Sequence, residues 1–280
     1  MYTDNTANLF FLNCSSLLSQ MKRDLRIFIY SDYASASLNI DVVLERITEL
    51  GFPLEDRGNL IDFLSLSEQG IYKLAQNLSS AQIPDISIPV DNINPPNRNE
   101  IDSEINRLLG RVSARGKFYD GFWIQRILYR ALAEKVTDEI KSGFIHLIFT
   151  SRLFGTFENR RYHARVVLMG TPALISTSGL VEAPAKPKEY YYIKGRLIQT
   201  GRDVSELDNM YKGRFVEYDD SKISSILTSY ALQAVGYEIT GNAFCEDPDC
   251  CLFNSHWQGD VLKVQYKGNP CKKCMESIRG

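Results

Sequence analysis

Five of the six cysteines in this 280-residue chain fall between Cys245 and Cys274, in the runs FCEDPDCCLFNSH and NPCKKC. Two close pairs, Cys245-x4-Cys250 and Cys271-x2-Cys274, can supply the four thiolates of a tetrahedral metal shell. Zinc is the natural occupant, because it accepts four sulfurs at about 2.3 Å and asks for no redox chemistry. Such a shell leaves no open position for a substrate, so one structural zinc is expected. Closing it stabilises a loop-rich segment by on the order of 10 kcal/mol. Cys251 competes with Cys250 for the second position, and spacing favours Cys250. His256 sits within the same region as an alternative ligand or a partner to one. The plainer readings are free thiols in a core, or disulfides. Lys272 and Lys273 would offset the charge of four thiolates around a divalent ion, and the distant Cys14 reads as a small hydrophobe.

The element that must deliver these thiols is the helix ahead of them. In SKISSILTSYALQAVGYEITG, with Asp219 or Asp220 as N-cap, Ile223, Ile226, Leu227, Tyr230, Ala231, Ala234 and Val235 share one face, and Gly241 stands where the helix must end. Further upstream, LRIFIYSD from Leu25 reads as a buried strand and NIDVVLERITEL from Asn39 as a helix ending at Gly51, the opening of an α/β unit. EIDSEINRLLGRV and FWIQRILYRALAEKVTDEI read as helices covering a sheet. Its strands are expected in FIHLIFTSRLF, RYHARVVLMG, PALISTSGLVEA and EYYYIKG, which are rich in branched and aromatic residues. The four prolines of residues 83–99 mark a loop or linker, and GRDVSELDNMYKGR a polar connection.

These readings imply a mixed α/β (α+β) domain over residues 25–280, with residues 1–24 as an N-terminal segment. About 54–99 is expected as an insertion or linker, and 245–274 as the zinc-binding segment. With 24% charged residues and a net charge of −2, the chain has no electrostatic footprint for nucleic acid. No apolar run approaches a membrane span, and the start of the chain lacks the pattern of a cleaved signal. A cytoplasmic location follows, where thiols at C-x-x-C spacing are metal ligands more often than disulfides.

The run AVGYEITGNAFCEDPDCCL followed by CKKC resembles the archaemetzincins, metzincin-type zinc peptidases with the signature HExxHxxGxxHC-x4-C-x-M, then about seventeen residues, then C-x-x-C. In metzincins the first two histidines ligate zinc, the glutamate beside the first acts as general base, and the glycine turns the chain so that a third histidine reaches the metal. The resemblance places that glycine at Gly241 and the four cysteines at Cys245, Cys250, Cys271 and Cys274, with the last gap one residue longer. It implies a zincin fold with a mixed sheet and a long central helix.

The catalytic positions differ. Ala234 stands for the first histidine, Val235 for the glutamate, Glu238 for the second histidine, Phe244 for the third, and Leu252 for the methionine beneath the site. One carboxylate cannot hold a catalytic zinc that needs three protein ligands. The chain has three histidines, His146, His163 and His256, and no HExxH. The resemblance therefore implies a structural zinc retained and a hydrolytic one lost, with Ala234, Val235 and Phe244 as core-like filling: a pseudo-peptidase binding a peptide or protein. A first alternative keeps hydrolysis through Glu238 with His163 or His256. A second makes the cysteine segment an interaction module on a domain unrelated to peptidases. The segment GLVEAPAKPKEYYY from Gly179, or the strand before it, is the candidate edge for a bound peptide.

Overall fold

The computed structural model describes residues 25–33, 38–90, 95–113, 116–266 and 268–279. The expected N-terminal segment and Cys14 lie outside them. Four strands of the main sheet run parallel: β1 (Arg26–Ser31), β2 (Leu54–Asn59), β4 (Phe144–Thr150) and β8 (Ala173–Ser176). The sheet order is β2-β1-β4-β8-β7, and β7 (Val167–Leu168) closes one edge antiparallel to β8. A small second sheet joins β3 (Phe118–Asp120), β5 (Leu153–Glu158) and β6 (Arg161–Arg165) in the order β3-β5-β6.

The alternation of strand side chains produces two cores. Ile27 and Ile29 of β1 point to one face with Leu147 and Phe149 of β4, against α1 (Ile40–Glu49) and the long helix α9 (Ile223–Thr240). Phe28, Tyr30 and Ile148 point to the other, among α2 (Leu60–Leu64), α3 (Glu68–Ser80), α4 (Arg98–Leu108) and α5 (Gly121–Lys135). Helices thus cover both faces, which explains why β1 and β4 read as nearly unbroken apolar runs. The other longer helices are α6 (Thr177–Glu182), α7 (Lys188–Gln199), α8 (Ser205–Met210) and α10 (Lys272–Arg279), with short helical turns at Thr137–Glu139, Gln258–Asp260 and Val261–Gln265. No helix among the described residues is long and apolar enough to cross a membrane.

Several expectations need correction. FIHLIFTSRLF breaks at Ser151 and Arg152 into β4 and β5, which belong to different sheets; RYHARVVLMG likewise splits into β6 and β7. PALISTSGLVEA is a strand only to Ser176, whose hydroxyl then accepts the Gly179 amide and caps α6. EYYYIKG is the body of α7, not a strand: Pro187 precedes the helix as its N-cap, and Tyr190 and Leu197, seven residues apart on one helical face, bury against Leu207 and Phe215. α8 forms inside the expected polar connection. Residues 54–80, expected within an insertion or linker, supply β2 to the main sheet and α2 and α3 to its second core.

A buried ion network ties α4 to the sheet. Glu104 is fully enclosed, and its carboxylate accepts from Arg152 Nε at 3.2 Å and from the Tyr119 hydroxyl at 2.8 Å. Burial alone would raise its pKa; Arg152, Tyr119 and Arg107 together hold it below the usual carboxylate range.

Candidate metal centre

Helix α9 is enclosed on almost every side. Between Ile223 and Gly236 all residues but Ser225 are buried, so the single apolar face expected from its spacing becomes a helix sunk between sheet, α1 and α10. Its start also differs from expectation. The N-cap position falls on Lys222, whose side chain makes no capping bond, and Asp220 accepts the Lys222 amide in the preceding turn. Its end is as expected: Gly241 takes the left-handed conformation, φ 74°, and its amide donates to Tyr237 O at 2.8 Å.

That turn sends the chain back along the helix, and Cys245 pairs with Leu252 through a 2.9 Å backbone bond. Two glutamines hold the returning loop in place. Gln233 of α9 and Gln265, both without exposure, donate to Phe253 O at 3.2 and 2.7 Å, and Ser229 Oγ donates to Gln265 O at 2.6 Å. The sequence signal for these supports is slight: one amide in an apolar helix, and another after a short apolar run.

The ligand atoms of Cys245, Cys250, Cys271 and Cys274 all lie within 4.8 Å of one another. The Cys245 and Cys271 sulfurs are 3.8 Å apart. A tetrahedron with metal–sulfur bonds of about 2.3 Å has sulfur–sulfur edges of about 3.8 Å, so the Cys245–Cys271 pair already has that spacing and the wider pairs, within 4.8 Å, would draw in slightly around zinc. Backbone amides are aimed at the sulfurs: Cys271 N donates to Cys250 Sγ at 3.2 Å and Asp247 N to Cys245 Sγ at 3.4 Å. Such bonds favour thiolate over thiol. The neighbouring Cys251 thiol, then the Cys271 amide, bring Cys250 down to about 5 against the opposing effect of burial. Cys251 itself is fully buried and stands outside the quartet; its hydrogen bond to Cys250 and its burial push its pKa up. All five are unpaired thiols rather than disulfides.

The C-terminal helix α10 begins within this site, carries Cys274, and packs Ile278 on the main core. Its last residues reach α1: Arg279 donates to the carbonyls of Leu50 and Glu49 at 3.1 and 3.3 Å, while Arg46 of α1 donates to Gly268 O at 3.1 Å.

The five positions that the motif resemblance singles out do not share one environment. Ala234 and Val235 are 1% and 0% exposed, inside the main core. Leu252 is buried against the same core. Glu238 lies at the surface, with its carboxyl raised by partial burial. Phe244 corrects the expectation of core filling: it is 46% exposed, because the turn at Gly241 carries it outward, and it lines a cavity of about 240 Å³ with Cys245, Cys274, Gly236 and Lys273. His163 sits on β6 with its ring nitrogen 3.2 Å from Glu158 O, and His256 is exposed, its carbonyl accepting the Ala185 amide. His146 is buried between Tyr30 and the Glu139 carbonyl, and burial lowers its pKa. Among the described residues, the four cysteines form the one group of three or more His, Cys, Asp or Glu side chains close enough to share an ion. Glu238, His163 and His256 are not gathered into such a group.

No protein of curated function matches the chain. A zinc-dependent peptidase from Methanocorpusculum labreanum is similar in structure at 11% identity and a TM-score of 0.47, with 90% of this chain and 99% of that one covered. An archaemetzincin from Methanopyrus kandleri is similar at 12% identity and a TM-score of 0.41, covering 91% and 93%. Residues 23–279 match the sequence family described as "Probable metallopeptidase family (DUF6775)", and the chain belongs to that family.

Proposed function

We propose that this protein is a non-hydrolytic member of its family, holding one structural zinc through Cys245, Cys250, Cys271 and Cys274 and binding a peptide or protein. The observation that carries the reading is the burial of Ala234 and Val235. A catalytic zinc needs ligands and a base that face substrate, and these two positions offer a methyl and an isopropyl group packed into the core. A water there has neither a metal to lower its pKa nor a carboxylate to take its proton. When bound, zinc supplies cross-linking of the chain, not reactivity, since four sulfurs fill its shell. The unpaired thiols fit a reducing compartment, the cytoplasm. The expected peptide edge moves: the segment from Gly179 is helical, so the free edge of the main sheet on that side is β7, along which an extended peptide would add.

The second reading, hydrolysis through Glu238 with His163 or His256, draws on the raised carboxyl of Glu238. A metal count separates the two. One zinc per chain, unchanged in a Glu238→Ala variant, and no cleavage of a mixed peptide substrate support the first reading; two zincs, or cleavage abolished by Glu238→Ala, overturn it. The third reading, a zinc module on a domain unrelated to peptidases, is set aside by the family match across residues 23–279.

A further inference from the structure

We infer that the hairpin of α7 and α8 is a docking surface for an acidic segment of a partner protein. The surface is separate in residues from the cysteine site and does not rest on the zinc reading.

Residues 186–214 carry seven Lys or Arg (186, 188, 194, 196, 202, 212, 214) against four Asp or Glu (189, 203, 206, 208), a local excess of three positive charges in a chain of net −2. In this hairpin only Arg202 has an acidic partner among the described residues, Glu206. Lys188 and Lys194 make no ion pair with any described residue, and Arg196 lies over the ring of Tyr192 at 6.0 Å. Lys188, Tyr192 and Arg196 are four residues apart and form one ridge of α7; Tyr191, Lys194 and Ile198 form the next. Tyr192, Ile198 and, on α8, Met210 are each 60% or more exposed. The hairpin does not need this outer face for its own folding, since Tyr190, Leu197, Leu207 and Phe215 form a separate small core behind it. A solvated helix has no use for large apolar side chains set between unpaired cations; a protein interface does.

The charge selects an acidic occupant, and the rings narrow its class. Stacking of nucleic-acid bases needs free aromatic faces. Here Tyr192 carries Arg196 over its ring, and Tyr191 is held edge-on to Tyr190 with its hydroxyl accepting the Lys186 amide. An anionic lipid surface calls for a broad apolar face to insert, whereas the apolar face of α7 is turned inward on Leu207 and Phe215. What remains is an Asp- or Glu-rich protein segment with apolar side chains to cover Ile198 and Met210.

The test uses the full chain and four probes at about 0.15 M salt, where charges farther apart than about 8 Å are screened: a labelled Asp/Glu-rich peptide bearing leucines, its Lys-substituted counterpart, a thymidine oligonucleotide, and phosphatidylserine vesicles. Binding of the acidic peptide alone is expected, weakened at least tenfold in K188E/K194E/R196E and several-fold in Ile198→Ser. Because these positions are exposed, the thermal midpoint should be unchanged, and a variant that shifts it is replaced by K188Q/K194Q/R196Q, with the same loss expected. Equal binding by wild type and the charge variants overturns the proposal. So does no binding of the acidic peptide above its basic counterpart, or stronger retention of the oligonucleotide or the vesicles.

Discussion

The sulfurs of Cys245 and Cys271 lie 3.8 Å apart across 26 residues of chain, in unpaired thiols spaced as the edge of a zinc–sulfur tetrahedron. Cys271→Ser or Cys274→Ser should therefore reduce bound zinc from one equivalent to near none. A structural zinc contributes on the order of 10 kcal/mol in small modules, comparable to the whole stability of a domain, so the tail should unfold. Elemental analysis and thermal melting read both effects. Retention of a full equivalent in both variants would contradict the four-sulfur site.

Glycines on two helices should respond oppositely to a methyl group. A β-carbon on Gly236 of α9 would meet Ile278 at 3.5 Å, an ordinary contact, and alanine suits a helix interior better by about 0.5–1 kcal/mol. Gly236→Ala should raise stability by about that amount. On Gly179 the same carbon would come 2.1 Å from the Arg165 carbonyl oxygen, which is backbone and cannot step aside. Gly179→Ala should cost more than about 2 kcal/mol by urea denaturation.

Installing the metzincin-type residues at positions 234, 235 and 244 should fail by folding before it fails by chemistry. Val235 is fully buried in the main core, so Val235→Glu places an unpartnered carboxylate in apolar surroundings at a cost above about 3 kcal/mol. The combined Ala234→His, Val235→Glu, Phe244→His variant should be less stable than wild type and bind no second zinc. A stable variant carrying two zincs would show that the position is accessible after all.

The Glu104 network makes a pH prediction with a defined sign. Since Arg152 and its neighbours hold Glu104 below its unfolded value of about 4.3, its contribution is fully present above that pH and is lost as pH falls through the lower folded value. Stability measured by denaturant between pH 5 and 2 should drop less steeply in Glu104→Gln than in wild type. At neutral pH, Arg152→Ala should cost about 3–5 kcal/mol, because it strands a buried carboxylate.

The parts of the fold that were readable in advance share a cause: their side chains see one environment. β1 and β4 are buried on both faces and read as unbroken apolar runs, and the cysteine quartet has the close paired spacing of a tetrahedral thiolate shell. β2 was not readable, since an edge strand of sequence LEDRGN is half-solvated and its order comes from pairing with β1. α7 misled because tyrosines favour strands, while the helical spacing of Tyr190 and Leu197 becomes visible only with α8 as their partner. At the site, identity at positions 234, 235, 238 and 244 was evident from the aligned motif. Their separate fates were not, because the turn at Gly241 decides which of them meets solvent.

Arg279 bonds the carbonyl of Leu50, a residue 229 positions earlier. The C-terminal helix that carries Cys274 is thus riveted at its far end to the end of α1. Chelation at the cysteines should accordingly be felt at the end of α1, as amides near Glu49 and Leu50 trading their hydrogens for deuterium faster.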